Sequence, residues 1–347
     1  MSDREKMAAD ELAIVLSHYD IGVIETIKEY PRGSRRAPKL LLRAEKGEFL
    51  LKRRARGKDD PFKVAFSHSL QLYLASKQFP LPHLMGTRRD NNSMLQHNNA
   101  VYELFEYIRG EGYDGSLQST EDSGRVLALY HKLLREFTPE FEPPVGSYHE
   151  SKAVPGGLEQ IPMSFSRKEP VQATGEQKMR ATLAFLREAY DQAVGKVNAK
   201  GLNDWPQQIV HCDWHPGNML FRNGKVVAVI DYDAARLQQR AMDIANGALQ
   251  FSIIGGSEDP GGWPDYVDER RFARFIHGYD AVDVVTVAEL DVIPWLMIEA
   301  MVAESVLPIA ATGSFGRIEG FGFLQMIERK VRWVQGHMQR LVKAVSA

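Results

Sequence analysis

The sequence contains a single cysteine, Cys212, among 347 residues, so no disulfide framework within the chain can stabilise the fold. Net charge is also nearly absent, because 43 lysines and arginines are balanced by 45 aspartates and glutamates, for a formal charge of -2. Without an overall basic field, we expect no nucleic-acid partner. With 44% hydrophobic and 25% charged residues, the composition is typical of an ordinary globular protein, and its length allows two lobes.

Long apolar runs are missing as well. No stretch of roughly eighteen consecutive apolar residues occurs, so we expect no membrane span and no membrane partner. The first residues, MSDREKMAADELA, are polar and lack the apolar centre of a signal peptide. These features predict a cytoplasmic protein and leave its oligomeric state open.

Short apolar runs separated by turns fill the first hundred residues. Between residues 19 and 55, the runs IGVIETI, KLLLRA and EFLLKRR are separated by PRGSRRAPK and by a turn at residues 45–47. This pattern is typical of an antiparallel meander. Residues 61–77 then predict a helix, and SMLQH and AVYELFEYI predict a strand pair that turns at Asn98-Asn99. The amino-terminal part is therefore predicted to be mostly sheet.

Helical spacing dominates after Gly110, as in SGRVLALYHKLLREF. Residues 265–345 also read mostly as helices, broken near Pro294, Pro308 and the glycines between 313 and 322. Residues 138–173 are rich in Pro, Gly and Ser and predict an irregular connection. The expected fold class is α+β.

Two lobes are expected from this change of pattern. The first, residues 1–106, would be a small antiparallel-sheet lobe, and the second, residues 107–347, a larger and mainly helical lobe. A hinge at about residues 104–110 would join them.

The most informative stretch covers residues 211–233 and reads HCDWHPGNMLFRNGKVVAVIDYD. Its Asn223-Gly224 pair predicts a two-residue hairpin, because both residue types tolerate the positive φ of a type I′ turn. An uninterrupted register from this turn places Asn218 opposite Val229. The sequence thus folds back on itself between a histidine-rich loop and a segment of carboxylates.

Three polar side chains meet in this prediction. Asp231 follows two residues after the position opposite Asn218, and alternate residues of a strand are about 7 Å apart on one face, so both side chains can reach one small cation. Asp213 stands five residues before Asn218. Oxygen ligands from Asn218 and Asp231 suit Mg²⁺, and Asp213 could accept a proton from an attacking hydroxyl. The stretch predicts a magnesium and phosphate site.

Two other interpretations of this stretch stay open. His211, Asp213 and His215 have an H-x-D-x-H spacing that could indicate zinc, although catalytic zinc takes three protein ligands and no companion His/Cys cluster follows in the sequence. A set of turn-capping side chains without chemistry is the other interpretation.

The residues His211–Asn218, HCDWHPGN, followed by Val229–Asp233, VIDYD, resemble the catalytic segment of the aminoglycoside phosphotransferase and choline kinase group. This family consists of small-molecule kinases with a protein-kinase-like fold. Weaker similarity extends from about residue 20 to residue 340, and the spore-coat and homoserine-kinase-like branches are the nearer ones. The resemblance implies a bilobal protein-kinase-like fold, with ATP and Mg²⁺ as cofactors. It also implies that the smaller lobe binds the nucleotide and that the larger lobe carries catalysis and substrate binding.

The resemblance also implies roles for individual residues. Asp213 would be the catalytic base, and Asn218 and Asp231 the magnesium ligands. Lys52, at the end of EFLLK, corresponds to the strand lysine that holds the α- and β-phosphates. The turn around Gly33-Ser34 corresponds to the turn over the nucleotide phosphates.

Further roles follow from the same resemblance. Glu106 and Ile108 lie in the hinge segment whose backbone groups meet adenine. Asp243, in AMDIA, resembles a carboxylate that braces the catalytic loop and opens a helix. His211 would support the loop by hydrogen bonding, and His215 would shape its turn. Asp233 could contact metal or substrate, or it could cap the next helix.

One departure from the family pattern concerns the partner of Lys52. The usual partner is a glutamate on the following helix, yet PFKVAFSHSLQLYLASK contains no acidic residue. His68 or Gln71 could stand in, or Lys52 could be held by phosphate and Asp231 alone. Two hypotheses therefore compete. The first is an ATP- and Mg-dependent phosphotransferase that moves the γ-phosphoryl group to a hydroxyl of a small molecule such as an aminoglycoside, a sugar, an amino alcohol or homoserine. The alternative is a catalytically weak or inactive scaffold.

Overall fold

The computed structural model describes residues 5–166, 173–255 and 259–346, and within them the chain forms two compact units. Unit 1 comprises the described residues of 1–113, 133–144 and 217–235. Unit 2 comprises those of 114–132, 145–216 and 236–347. The hairpin segment after residue 216 thus groups with the amino-terminal part of the chain, and the hinge at 104–110 stays a prediction.

Strands and helices occur in groups along the chain. The strands are β1 (Ile24–Glu29), β2 (Lys39–Ala44), β3 (Gly47–Arg53), β4 (Leu95–His97), β5 (Ala100–Glu106), β6 (Gln207–Val210), β7 (Met219–Arg222), β8 (Lys225–Val229), β9 (Arg236–Gln239), β10 (Ser314–Phe315) and β11 (Ile318–Glu319). The helices are α1 (Ala9–Ser17), α2 (Pro61–Ser76), α3 (Leu117–Leu134), α4 (Ala153–Ser166), α5 (Ala173–Asn198), α6 (Arg240–Ser252), α7 (Glu269–Asp280), α8 (Val287–Thr312) and α9 (Gly320–Ser346).

Unit 1 is built on a five-stranded antiparallel sheet in the order β1-β2-β3-β5-β4. The predicted strands are confirmed, including the turn at Asn98-Asn99, where both residues adopt positive φ (48° and 59°). Helix α2 begins after Asp60, whose carboxylate accepts hydrogen bonds from the N–H groups of Phe62 and Lys63. The predicted fold class, with an antiparallel sheet and a helical remainder, is confirmed.

The two faces of this sheet carry different side chains because successive residues of a strand point to opposite sides. On one face, Phe49 and Leu51 of β3 join Tyr102 and Leu104 of β5 in an apolar core that includes residues of α1. On the other face lie Lys52 of β3 and the residues that alternate with it. This alternation places charged groups beside a fully formed core without burying them in it.

The β7–β8 hairpin has the predicted turn, with Asn223 and Gly224 at φ 51° and 72°, but not the predicted register. A bulge at Val227 moves Met219 opposite Val229, so the prediction that Asn218 faces Val229 is wrong by one residue. The extra residue sits between two apolar pairs, and nothing in the residue types marks it in advance.

Unit 2 is mainly helical and has its core around α8, against which α4, α5, α6 and α9 pack. Helix α8 is long and apolar enough to cross a membrane, but 78% of its apolar stretch is buried inside the protein, as in the core helix of a soluble protein. Pro294 and Pro308 lie inside this helix, so the prediction that they break it is wrong. Burial of most of the helix outweighs the cost of the two prolines, which is about 3 kcal/mol each. The helix ends at Gly313, at φ 74°.

Helix α4 corrects a second prediction. Residues 153–166 were expected to be irregular, and they form a helix; residues 167–172 of the same predicted connection lie outside the described part of the chain. The helix buries Val154, Leu158 and Ile161, which share one face. A side chain at Gly157 would lie 2.9 Å from Val306 of α8, so this glycine permits the close packing that offsets its poor helix propensity.

Candidate functional site

A pocket in unit 1 is lined by alternate residues of the sheet. Leu50, Lys52 and Arg54 are alternate residues at the end of β3, so their side chains lie on the same face of the sheet, and all three line the pocket. The wall continues with further side chains of unit 1: Tyr30, Lys39, Glu103, Phe105, Glu106, Tyr107, Ile108, Leu220, Ile230, Asp231 and Asp233. Five of the predicted site residues therefore surround one cavity, namely Lys52, Glu106, Ile108, Asp231 and Asp233.

Lys52 has a carboxylate partner that the sequence pattern did not indicate. Its Nζ atom lies 3.3 Å from Oε2 of Glu103, the residue directly opposite it on β5, and 3.8 Å from Oδ2 of Asp233. The acid thus comes from a neighbouring strand. His68, expected as a stand-in, contacts Glu103 through Nε2 at 2.7 Å, and Gln71 lines the pocket.

The Glu103 side chain is fully buried and ionised. Burial by itself would raise its pKa, but the charge on Lys52, the hydrogen bond with His68 and the charge on Arg54 lower the pKa well below its ordinary value. Burial likewise opposes the charge on Lys52, whose pKa is nevertheless raised by Glu103 and Asp233. Each partner keeps the other charged.

Arg54 joins two carboxylates. Its Nη2 atom donates to Oε1 of Glu103 at 2.7 Å and to Oδ1 of Asp233 at 2.8 Å, and its Nη1 donates to the carbonyl of Lys58 at 3.1 Å. Asp233 therefore lies in an ion-pair network. It does not cap the next helix, because α6 begins at Arg240 after the N-cap residue Gln239.

The segment at the end of β5 presents backbone groups to the pocket. The Tyr107 N–H donates to the carbonyl of Glu48, at 2.9 Å, toward β3. Because the hydrogen-bonding direction alternates along an antiparallel strand, the backbone groups of Glu106 and Ile108 face the other way. The Glu106 N–H is taken up by the carbonyl of His83 at 2.9 Å. The carbonyl of Glu106 and the N–H of Ile108 therefore form a backbone edge beside the apolar residues that line the pocket.

Gly33 and Ser34 lie next to the pocket and are not part of its lining. Gly33 adopts φ 86°, and a Cβ atom added there would be 2.8 Å from Nζ of Lys39. Lys39 lines the pocket and stands opposite Lys52 in the β2–β3 register. The Ser34 hydroxyl accepts from the N–H of Arg36 at 3.2 Å, which stabilises the turn.

Asn218 and Asp231 lie at the same end of the hairpin. The N–H of Ile230 donates to the carbonyl of Asn218 at 2.9 Å, so Asn218 is opposite the residue that precedes Asp231. Asp231 adopts a left-handed conformation, φ 66°, and lines the pocket, while Asn218 is buried and is not part of the lining. An amide and a carboxylate fit a cation that takes few protein ligands, such as Mg²⁺.

A zinc site would need more side-chain ligands than this amide and carboxylate provide. Over residues 5–166, 173–255 and 259–346, no group of three or more His, Cys, Asp or Glu side chains is arranged to hold a metal ion. A zinc site of the usual kind would need such a group.

The Asp213 loop, residues 211–216, belongs to unit 2 and is held by one carboxylate. Asp243, in the first turn of α6, accepts hydrogen bonds from the N–H groups of His211 (2.7 Å) and Cys212 (2.9 Å). Cys212 adopts φ 62°, an unfavourable conformation for a side chain of this kind. The loop therefore makes a tight turn, and the bonds to Asp243 stabilise it.

The side chain predicted as catalytic base, Asp213, is accessible. Asp213 is 45% exposed, and its Oδ1 lies 3.5 Å from Nε2 of His215. The Asp213 N–H donates to Nδ1 of His211, at 3.3 Å, and His211 is fully buried against the ring of Trp214. The loop thus combines a buried histidine, His211, that anchors it with an exposed carboxylate, Asp213.

Asp243 has a second, buried partner. Its Oδ2 lies 3.0 Å from Nε2 of His131, whose Nδ1 lies 2.7 Å from the hydroxyl of Tyr279. Burial would raise the pKa of Asp243, but the hydrogen bond and charge of His131 and the amide of His211 lower it. The sequence pattern around His131, on an apolar helix face, carries no sign of this link.

Glu304 of α8 is a second carboxyl group of unit 2 that interacts electrostatically with Asp213. Burial and, to a smaller extent, the charge on Asp213 raise its pKa from the ordinary 4.5 to about 7, against the opposing effects of His215 and a hydrogen bond from Gln250. The amide nitrogen of Gln250 donates to Oε2 of Glu304 at 2.9 Å. Unit 2 therefore contains a buried acid whose pKa is raised by burial and by the charge on Asp213.

The chain is similar to known kinases in sequence. A model of the phosphotransferase enzyme family (APH) matches residues 26–284. A homoserine kinase of Sinorhizobium medicae is 24% identical over 291 residues, which cover 83% of this chain and 79% of that protein. A homoserine kinase of Rhodopseudomonas palustris is 26% identical over 244 residues, which cover 69% and 67%.

Solved structures share the fold at lower identity. An aminoglycoside phosphotransferase from Alicyclobacillus acidocaldarius superimposes with a TM-score of 0.71 at 16% identity, covering 99% of this chain and 98% of that one. A microcompartment-associated aminopropanol kinase gives 0.69 at 14%, covering 96% and 98%. The family match spans more than half of the sequence and confirms the resemblance carried by the HCDWHPGN segment. The chain belongs to the phosphotransferase enzyme family and is a phosphotransferase that acts on a hydroxyl group of a small molecule.

Proposed function

We propose that the protein transfers the γ-phosphoryl group of ATP, in a Mg²⁺-dependent reaction, to the hydroxyl of a small amino alcohol or a homoserine-like molecule. The observation that carries this proposal is the pairing of Lys52 with Glu103 in a pocket that also contains Asp231 and the backbone edge at Glu106–Ile108. Nucleotide binding needs a cation for the phosphates, a carboxylate that can hold a metal ion, and backbone groups that can bind adenine.

The nucleotide would lie along the pocket of unit 1. Adenine would use the carbonyl of Glu106 and the N–H of Ile108, which face away from β3, and its rings would lie among the apolar lining residues. Its phosphates would meet Lys52 and the turn at Gly33-Ser34. Residues 104–110 would then serve both as adenine contact and as the hinge between the predicted lobes.

Magnesium would be held by Asn218 and Asp231, at the end of the β7–β8 hairpin. When bound, it would neutralise the charge that develops on the transferred phosphoryl group. The chain itself provides the amide and the carboxylate, and the φ of 66° at Asp231 turns the backbone at the point where the strand ends. Asp233 balances Lys52 and Arg54 instead of serving as a third ligand.

Asp213 would accept the proton of the acceptor hydroxyl. Its exposure leaves room for a substrate, and the two backbone hydrogen bonds to Asp243 fix the loop from which it projects. His215, at 3.5 Å, would orient the carboxylate. General-base assistance of this kind contributes about 10²–10⁴-fold to rate.

The proposed acceptor class has two supports. The curated relatives are named homoserine kinases, and one structural neighbour is an aminopropanol kinase. The protein would work in the cytoplasm, and the buried position of α8 fits that location.

The scaffold alternative loses the observation that motivated it. That hypothesis rested on the absence of an acid in the helix after β3, and Glu103 supplies the missing charge from β5. No other feature of the described residues favours it over catalysis.

The test is a screen of hydroxyl acceptors that reads ADP release, with Asp213→Asn as the blank. We expect the wild-type protein to consume ATP with an amino alcohol or homoserine and not with ATP alone, and the variant to lose about 10²–10⁴-fold in kcat. Turnover retained in the variant would contradict the role of Asp213. Mg-ATP binding without turnover on any acceptor would favour the scaffold.

A further inference from the structure

The helix that usually provides an acid for the strand lysine has none in this chain, and a different construction surrounds Lys52. Glu103 stands opposite Lys52 in the β3–β5 register, and Arg54 lies two residues further along β3 on the same face. These side chains come from two hydrogen-bonded strands, so their relative positions follow from the sheet register itself. The N–H of Arg54 donates to the carbonyl of Val101 at 2.9 Å, which extends the pairing past the end of β3.

Both oxygens of Glu103 are engaged. Oε1 lies 2.7 Å from Nη2 of Arg54 and 2.7 Å from Nε2 of His68, and Oε2 lies 3.3 Å from Nζ of Lys52. His68 is itself fixed by Ser93, whose hydroxyl lies 2.9 Å from its Nδ1. The two hydrogen bonds at Oε1 therefore orient the carboxylate and leave Oε2 facing Lys52 as its ion-pair partner.

We propose that Glu103 is the positioning residue of Lys52 and that Arg54 extends this positioning to Asp233. The four side chains form a cross-strand clamp, defined by Lys52, Arg54, Glu103 and Asp233. The inference rests on the proposed function, because the clamp acts on the phosphates of a bound nucleotide. It assigns to a strand the task that the family pattern assigns to a helix.

The clamp is balanced in charge, with two carboxylates facing two cations. Each cation contacts both acids: Lys52 at 3.3 and 3.8 Å, and Arg54 at 2.7 and 2.8 Å. Without the charge on Glu103, both cations would turn to Asp233, and Lys52 would leave the position from which it meets the phosphates. The clamp therefore predicts a loss specific to the phosphate part of the nucleotide.

A strand-based clamp also differs from a helix-based one in how it responds to ligands. A helix can shift as a body and separate an acid from the lysine, whereas strand neighbours stay opposite each other as long as the sheet is intact. The lysine of this protein is thus held before nucleotide arrives. We expect Glu103 to stay opposite Lys52 whether or not nucleotide is bound.

The experiment compares the binding of Mg-ATP and adenosine by calorimetry in the wild type and in Glu103→Gln. We expect the variant to bind Mg-ATP about tenfold more weakly, because Lys52 would no longer be held in place for its charge-assisted contact with the phosphates. Adenosine has no phosphates, so we expect its affinity to stay within about twofold of the wild type. A role in folding alone would weaken both ligands equally or neither. The matched control is Glu11→Gln, which removes a carboxylate 2.9 Å from Arg53 on the opposite face of the sheet and should leave both affinities unchanged.

A second variant keeps the test valid if Glu103→Gln does not fold. Arg54→Lys retains the charge but has one nitrogen in place of the two that bind the carbonyl of Lys58 and the two carboxylates, so we expect kcat/KM for ATP to fall several-fold with adenosine affinity unchanged. Wild-type Mg-ATP affinity in Glu103→Gln, or wild-type kcat/KM in Arg54→Lys, would overturn the clamp. Failure of the wild-type protein itself to bind Mg-ATP would instead overturn the proposed function.

Discussion

The pocket face of unit 1 and the Asp213 loop of unit 2 hold their functional groups in different ways. Lys52 is positioned by charges on a neighbouring strand, and each cation of that network contacts two carboxylates. The loop is positioned through its backbone, and two of its N–H groups depend on the single carboxylate of Asp243. A network with shared partners can redistribute after a loss, whereas an amide that loses its acceptor inside a core has no water to replace it.

The strongest test of this contrast is Asp243→Ala. The variant would leave two buried amides and His131 without their acceptor, which we expect to lower the free energy of unfolding by about 3–5 kcal/mol. Urea denaturation measures it. Asp291→Ala is the matched control, because it removes an exposed carboxylate 2.9 Å from Lys200 and should cost less than about 1 kcal/mol. Equal losses in the two variants would show that the loop is not held as described.

A smaller effect should come from Glu304→Gln, and its sign depends on pH. A carboxyl group whose pKa rises on folding from 4.5 to about 7 binds its proton more tightly in the folded state, so its ionisation destabilises the fold as pH rises across that interval. Glutamine does not ionise and can still accept from Gln250. We expect the variant to be more stable than the wild type by about 1–3 kcal/mol at pH 8 and nearly equal to it at pH 4.5.

Thermal unfolding at the two pH values provides this measurement. A variant that is no more stable at pH 8 than at pH 4.5, relative to the wild type, would mean that Glu304 ionises normally. The expected result would sharpen the comparison between the units, because nearby cations lower the pKa of the buried Glu103 in unit 1, whereas burial raises the pKa of Glu304 in unit 2.

The sequence predicts the pocket face better than the loop. The alternation of EFLLKRR fixes which side of β3 carries Lys52, and Asn98-Asn99 fixes the hairpin that leads into β5. The partnership with Glu103 was missed, because β3 and β5 are not consecutive and their register is set by pairing. An acid in the middle of the apolar run AVYELFE was an available sign, since a buried carboxylate requires a cation or a donor.

Other features depend on tertiary packing, which local patterns do not reveal. The bulge at Val227 shifts the hairpin register, and the helix at 153–166 forms because its apolar face packs against α8 despite its glycines. The link from His131 to Asp243 joins residues 112 positions apart. The motif HCDWHPGN located the loop, but the groups that stabilise it come from helices elsewhere in the chain.

The most direct test of the whole account separates binding from proton transfer with two variants, Lys52→Met and Asp213→Asn. Calorimetry gives the Kd for Mg-ATP and ADP release gives kcat, for each variant and for the wild type with its acceptor. We expect Lys52→Met to weaken Mg-ATP binding at least about tenfold, and Asp213→Asn to bind Mg-ATP within a few-fold of wild type while losing about 10²–10⁴-fold in kcat. If both variants lost the same property to the same extent, the division of labour between the pocket face and the Asp213 loop would be wrong.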